Sequence, residues 1–181
     1  MSPPDPDVIS KFPAPLALPL RVLPLRPLSL SLTVFSRAIA RRHPGLFRRL
    51  GAYGAHRFIL DPTDLPFVIC LEPENGNPRI TLLRRPATGD ARIAGPLAAL
   101  IGLVHGAYDG DALFFSRDLV IEGDTEAALA LRNAVDDAEL DMAAELALMS
   151  GPLAGPLKRV IALAERRSGI YLTRPEEVMN W

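Results

Sequence analysis

The distribution of proline places the strongest limit on what this chain can fold into, because proline lacks a backbone donor and disrupts the interiors of helices and strands. Of the 18 prolines, eight lie within the first 27 residues. Residues 1–12 also lack apolar periodicity, so burial there cannot offset the entropy cost of ordering the chain. The apolar stretch that begins at Phe12 is interrupted by Pro13, Pro15, Pro19, Pro24 and Pro27. We therefore interpret residues 1–27 as a flexible, proline-rich leader and arm.

This leader does not fit a secretory signal or a membrane span. A signal peptide has a basic start and an unbroken apolar region, whereas this start carries Asp5 and Asp7 and its apolar region is broken by prolines. Arg21 and Arg26 keep the stretch short of the roughly 18 to 20 uncharged apolar residues that cross a bilayer. We predict a segment that can lie on a membrane without crossing it.

The net charge of −1 conceals an asymmetry along the chain. Residues 1–60 contain nine cations and two acids, whereas residues 61–181 contain eleven cations and nineteen acids. The near-zero total excludes a uniformly basic nucleic-acid-binding protein and an acidic disordered chain. The first third of the chain is instead predicted to meet an anionic partner.

From Leu28 the prolines stop and an amphipathic helical pattern begins, with the apolar stripe Leu28, Leu32, Phe35 and Ile39. A second helical piece is predicted over Pro44–Tyr53. Residues 28–53 are therefore interpreted as a basic amphipathic helical arm, whose predicted membrane or partner contacts are Arg37, Arg41, Arg42, Arg48 and Arg49. Two interpretations are open: the stripe packs on the domain and the arginines form a solvated face, or the arm lies on a membrane surface.

The middle of the chain alternates short β-prone runs with turn signals, which predicts a small sheet. The predicted strands are Phe67–Leu71, Arg79–Leu83, Ala91–Ala94 and Leu119–Glu122. The predicted turns are Asp61–Asp64 and Glu72–Pro78. The fold class is therefore α+β, with one domain predicted over residues 54–137.

Helices are predicted on both sides of the last strand in sequence. Gly95 and Pro96 open a strongly apolar helix from Leu97, since proline suits the first helical position. Asp124 is predicted to cap a helix that runs to Val135. Two further helices, Ala138–Met149 and Pro156–Ser168, form a predicted C-terminal extension over residues 138–181.

The sequence offers little catalytic chemistry. His43, His56 and His105 are scattered, without the spacing that places two imidazoles on one helix face toward a metal. Cys70 lies inside an apolar strand, which favours an inert packed thiol with a raised pKa over a nucleophile. As a single cysteine it permits no intramolecular disulfide, so a cytoplasmic location is expected. The acids near Asp109 and Asp124 suit turns and caps better than a calcium loop. We predict no catalytic residue, metal site or cofactor.

Groups of apolar residues with no polar side chains among them are more conspicuous than any candidate catalytic residue. Phe114 and Phe115 precede a turn, Leu119 and Ile121 share one strand face, and the apolar helix from Leu97 lies close in sequence. Periodicity alone leaves two alternatives open: these side chains line a cavity, or they fill a solid core.

The segment from Gly106 to Glu126 resembles the closing strand and helix of the sterol carrier protein lipid-binding domain. It contains the run Phe114-Phe115-Ser116-Arg117-x-Leu119-x-Ile121-Glu122-Gly123-Asp124-Thr125-Glu126. Within that family it is most similar to the bacterial accessory factors of oxygen-independent (anaerobic) ubiquinone biosynthesis. The proline-rich arm and the helical tail also fit that subgroup. The resemblance covers the chain well from about Leu50 to Val135.

The resemblance implies a small mixed or antiparallel curved sheet, covered by helices that enclose an apolar lipid tunnel without catalytic residues. By position, the lipid-binding candidates are Leu97, Leu100, Ile101, Val104, Phe114, Phe115, Leu119, Ile121 and Leu131. The implied function is a non-enzymatic carrier that binds polyprenylated quinone precursors and presents them to hydroxylases working without oxygen. The implied location is cytoplasmic, peripheral on the inner membrane.

A second function class remains open beside the carrier. In it, the basic arm recruits partners to anionic membranes as a scaffolding module, with a solid core and no ligand. Nucleic-acid binding is disfavoured because the arm offers few aromatic side chains for base stacking, mainly Phe35 and Phe47.

Overall fold

The computed structural model describes residues 24–105 and 119–138. Strands and helices over these ranges form an α+β fold with a mixed five-stranded sheet, as predicted. The N-terminal leader up to residue 23, Phe114, Phe115 and, apart from Ala138, both predicted C-terminal helices lie outside the described residues.

The sheet has the strand order β3-β2-β1-β4-β5. The strands are β1 Phe58–Pro62, β2 Val68–Glu72, β3 Arg79–Leu83, β4 Ala91–Gly95 and β5 Val120–Gly123. β1 and β4 pair in parallel, and every other neighbouring pair is antiparallel. The four strands predicted from the sequence are confirmed to within one residue at each end.

The central strand β1 was not predicted from the sequence, and the turn assigned to Asp61–Asp64 begins too early. Asp61 and Pro62 are the last two residues of β1 and pair with Ala94 and Gly95 of β4. The error has a physical cause, because an aspartate after a short apolar run normally signals a strand end. Here Asp61 is buried, and arginines from neighbouring segments pair with it. Pro62 is tolerated because it ends the strand.

The first helix, α1, spans Leu25–Arg42 and begins three residues before the predicted Leu28. It includes Pro27, which is compatible with the first turn because the backbone N–H groups there have no helical partner. The predicted piece Pro44–Tyr53 divides into a short helix α2, Pro44–Arg48, and a 3₁₀ turn at Gly51–Ala55. Gly51, the first residue of the 3₁₀ turn, has a φ of 52°, a left-handed conformation that glycine adopts at low cost.

The two helices that flank β5 begin at acidic caps. α3 spans Leu97–His105, and its Leu97 amide donates to the Asp64 carboxylate at 3.0 Å. α4 spans Thr125–Asp136, and Asp124 accepts from the Ala127 amide at 2.9 Å. This confirms the predicted cap. Gly123, with a φ of 80°, allows the chain to turn against the Asp90 carbonyl, where an added Cβ would lie 2.3 Å away.

The main core lies on one face of the sheet, between the strands and helices α1, α3 and α4. Successive strand residues face opposite sides. Phe58 and Ile93 face this core, while Ile59 and Cys70 belong to a separate small cluster on the other face. Phe58 is fully buried, so the unpredicted strand supplies the centre of the core.

Helix α1 packs against the edge strand β3, which decides between the two interpretations of the arm. Leu28 and Leu32 pack against a cluster of Leu65, Phe67 and Leu82. Phe35 and Ile39 are buried in the main core. The stripe therefore packs on the domain, as the first of the two interpretations holds, and is not available for membrane insertion.

Candidate lipid-binding site

The positions predicted to line a tunnel gather on the helix-covered face of the sheet. Leu100 of α3, Leu119 before β5 and Leu131 of α4 are buried in the main core, and Ile121 of β5 packs against it. Leu97 packs against the neighbouring cluster around Phe67, on the same face.

The remaining predicted lining positions are less fully described. Ile101 is half-buried, and Val104 lies within α3. Phe114 and Phe115 lie outside the described residues. The structure thus gathers Leu97, Leu100, Leu119, Ile121 and Leu131 on one face of the sheet, while the tunnel itself stays a prediction.

The five predicted contact arginines have different environments. The Arg37 Nε–H donates to the Pro78 carbonyl at 3.1 Å, and Arg49 forms an ion pair with Asp137. Arg41, Arg42 and Arg48 are exposed. Arg37 and Arg49 are therefore in part bound to the domain, and the side chains of the other three arginines are exposed on α1 and α2.

The opposite face of the sheet carries an ionic cluster that sequence reasoning missed. Arg85 and Arg92 both donate through Nε to the buried Asp61 carboxylate, at 3.1 Å each. Arg92 also pairs with Glu122 of β5. These side chains border a cavity of about 310 Å³ whose apolar part includes Ile59 and Val68. No spacing in the sequence joins these distant residues. Arg85 lies in the segment after β3, Arg92 lies on β4 and Glu122 lies on β5, so only the folded sheet gathers them around Asp61.

The Asp61 carboxyl is ionised in this cluster. Burial alone would raise its pKa, but hydrogen bonds from Arg85 and Arg92 more than offset that effect and hold the pKa below its usual range. A buried carboxylate with two guanidinium partners is best explained as a structural ion pair that closes the end of β1.

Two cavities are therefore lined by described residues outside the predicted tunnel positions. The second, of about 400 Å³, lies beside α1 and α2, and we refer to it as the α1–α2 cleft. Its lining residues are Ala40, Pro44, Phe47, Arg48, Gly51, Asn75 and Gly76.

Comparison with known proteins identifies the family. The model of the SCP-2 sterol transfer family matches residues 35–136, more than half of the chain. The chain belongs to the SCP-2 sterol transfer family. This confirms the family predicted from the run at Phe114–Glu126. No curated protein matches the sequence at a significant level.

Two solved structures are similar to this chain at low sequence identity. The structure described as "UbiJ-SCP2 Ubiquinone synthesis protein" is 17% identical, with a TM-score of 0.51, over 65% of this chain and 96% of that chain. Sterol carrier protein 2 from Yarrowia lipolytica, in its apo form, is 15% identical with a TM-score of 0.44, over 62% and 92%. At such identities the likeness concerns the fold.

The SCP-2 assignment supports lipid binding as the coarse function of the domain. The matched residues include the whole sheet together with α3 and α4. They also include every predicted lining position. No helix within residues 24–105 and 119–138 is long and apolar enough to cross a membrane.

Cys70 and His56 of this SCP-2 domain have defined neighbours. Burial raises the pKa of the Cys70 thiol, as predicted, although Arg57 acts on it in the opposite direction. The His56 ring lies 3.6 Å from the Asp124 carboxylate and edge-on to Tyr53. Within the described part of the chain, no three His, Cys, Asp or Glu side chains are grouped to hold a metal ion.

Proposed function

We propose that this protein is a non-enzymatic lipid carrier that binds polyprenylated intermediates of ubiquinone biosynthesis and presents their rings to hydroxylases working without oxygen. The family assignment supports a hydrophobic ligand. The resemblance of the Phe114–Glu126 run to the ubiquinone accessory factors supports the quinone precursors and the hydroxylases. A cytoplasmic location, peripheral on the inner membrane, belongs to the same proposal.

The observation that carries the proposal is the apolar character of α3. Residues 97–104 include no polar or charged side chain. A helix that is apolar on all sides requires apolar partners on all sides. The sheet and α4 both contact α3, and Leu97 and Ile101 remain half-buried. A polyprenyl tail could supply the remaining contacts, at about 0.8 kcal/mol for each buried CH₂ group.

Mass spectrometry of lipids that copurify with the full chain under native conditions tests the carrier. The expected result is a stoichiometric polyprenylated phenol or quinone precursor. Ile101→Trp should reduce its recovery by filling space beside α3, whereas Leu129→Trp, at an exposed position of α4, should not. Circular dichroism checks that both variants fold. Recovery of no lipid from the folded parent would favour the scaffolding module with a solid core.

The second part of the proposal is contact with an anionic membrane surface. It rests on the exposed Arg41, Arg42 and Arg48, and on the cationic first third of the chain. Leu30 and Val34, which are 67% and 52% exposed on the outer side of α1, replace the buried stripe as the apolar contacts. Reversible attachment of this kind combines a few inserted apolar side chains with cations near the surface.

A further inference from the structure

The α1–α2 cleft is lined by a combination of charge and apolar surface that the lipid-carrier function does not use. Ala40, Pro44 and Phe47 supply apolar surface, and Arg48 supplies a guanidinium. Asn75 and Gly76, from the turn between β2 and β3, line the cleft together with them. None of these residues belongs to the predicted tunnel.

The charge around the cleft is mainly positive. Residues 8–60 contain no acid, so every charge on α1, α2 and the 3₁₀ turn is positive. Within the described part of the chain, Arg48 makes no ion pair. The nearest acid in sequence to the β2–β3 turn residues is Glu74, and its carboxylate pairs with Arg79 at 3.1 Å. An anion in the cleft would therefore meet Arg48 without competition from that carboxylate.

The turn that borders the cleft is closely fitted to the 3₁₀ segment. Glu74, Asn75 and Gly76 all have positive φ values, of 43°, 52° and 103°. The Asn75 side chain lies against Gly54, where an added Cβ would be 2.7 Å from Oδ1. Any larger residue at position 54 would require the Asn75 side chain to shift. The cleft wall is thus built by a close contact between the Asn75 side chain and Gly54.

We propose that the α1–α2 cleft binds the phosphate headgroup of an anionic membrane lipid, with Arg48 pairing to the phosphate. A guanidinium matches phosphate geometry through two parallel N–H donors. Phe47, Pro44 and Ala40 would contact the first carbons beyond the phosphate. This apolar surface favours a lipid over a free phosphate, and the volume of about 400 Å³ lies within the range of small-ligand sites. The inference deepens the membrane contact proposed above and rests on it.

Soluble short-chain lipids test the site without a bilayer. The full chain is titrated with dihexanoyl phosphatidylglycerol below its micelle concentration, and the amide signals of Gly51 and Gly76 are followed by NMR. Dihexanoyl phosphatidylcholine and inorganic phosphate are the comparison ligands. We expect saturable shifts at both glycines with phosphatidylglycerol, and binding at least fivefold weaker for the other two ligands.

Two matched pairs of variants distinguish binding in the cleft from a general effect of the protein's charge on binding. Asn75→Asp places an acid in the cleft lining, and Asn77→Asp makes the same charge change two residues away, outside the lining. Arg48→Gln removes the proposed phosphate partner, and Arg26→Gln removes an exposed cation at the other end of α1. We expect Asn75→Asp and Arg48→Gln to weaken phosphatidylglycerol binding about tenfold, and each control to change it less than twofold.

Equal losses within either pair would overturn the site, as would shifts confined to residues outside the cleft. Equal binding of inorganic phosphate would overturn the lipid assignment. Flotation on anionic vesicles measures the membrane contact separately from the cleft. The parent can float on these vesicles even if Asn75→Asp and Arg48→Gln bind phosphatidylglycerol as tightly as the parent does. In that case the contact stands and the cleft proposal fails.

Discussion

Thr33 on α1 makes two hydrogen bonds with the backbone of Ile80 on the edge strand β3. Its Oγ1 accepts from the Ile80 amide at 3.0 Å and donates to the Ile80 carbonyl at 2.9 Å. Ser29, one turn earlier, accepts from the Leu82 amide at 2.8 Å. Edge strands carry unpaired backbone groups that other chains can bind. In this protein, the Thr33 and Ser29 hydroxyl groups of α1 form hydrogen bonds with the backbone of β3, and these bonds join the helix to the domain.

Replacement of Thr33 by Val should destabilise the protein by about 2 kcal/mol, because both Ile80 groups would lose their partner in a part-buried place. Ser31→Ala is the matched control, since the Ser31 hydroxyl is exposed and bonds only within its helix. The control should stay within about 0.5 kcal/mol of the parent. Urea unfolding measures both, and equal midpoints for the parent and Thr33→Val would show that α1 is not held by this contact.

Asp61→Asn should lower the free energy of unfolding at pH 7 by about 2 to 4 kcal/mol, because Arg85 loses its charged partner and Arg92 keeps only the exposed Glu122. Glu122→Gln, at the exposed end of the same cluster, should cost less than about 1 kcal/mol. Chemical unfolding at pH 7 measures these values. A loss in Asp61→Asn no greater than that in Glu122→Gln would contradict the structural role of the buried carboxylate.

The contribution of Asp61 should also depend on pH in a defined direction. Its pKa in the folded protein lies below the ordinary value, so its stabilisation is complete above the unfolded-state pKa of about 4. The stabilisation is lost as the pH falls through the folded-state pKa. The parent and Asp61→Asn should therefore converge in stability below about pH 4. A constant difference between them down to pH 2 would rule out this linkage.

Asp124→Ala should cost about 0.5 to 2 kcal/mol of stability, because the Ala127 amide at the start of α4 loses its acceptor. Asn133→Ala, at an exposed position within the same helix, should leave the stability unchanged or slightly raised. Thermal unfolding measures the capping role of Asp124, and quinone production, as a second measurement, tests whether its carboxylate also has a functional role. A variant with parental stability and no quinone production would make Asp124 a functional carboxylate.

The double variant Arg41→Gln/Arg42→Gln should weaken flotation on anionic vesicles about tenfold or more, since each cation near such a surface contributes about 1 kcal/mol. Arg57→Gln/Arg84→Gln makes the same charge change outside α1 and α2 and should have little effect. Binding of the parent should also weaken as salt rises. Equal flotation of both double variants would remove the electrostatic part of the membrane proposal, and no flotation of the parent would remove it entirely.

The sequence by itself determined the elements whose signals are local. The cap at Asp124, the helix from Leu97 after Pro96, and the strands β2 and β3 on either side of a polar turn were all predicted from neighbouring residues. The family followed in the same way, from a contiguous run between Phe114 and Glu126. These features depend on interactions among residues a few positions apart, so they can be predicted from the order of residues alone.

The tertiary structure decided what depends on distant partners. The central strand β1 can end in the buried Asp61 because Arg85 and Arg92 pair with this carboxylate. Neither arginine is near Asp61 in sequence. The stripe from Leu28 to Ile39 packs inward because β3 presents an unpaired edge and an apolar face to it. An amphipathic helix carries the same pattern whether it covers a sheet or a membrane, since both surfaces remove apolar side chains from water. Only the folded chain shows which surface is within reach.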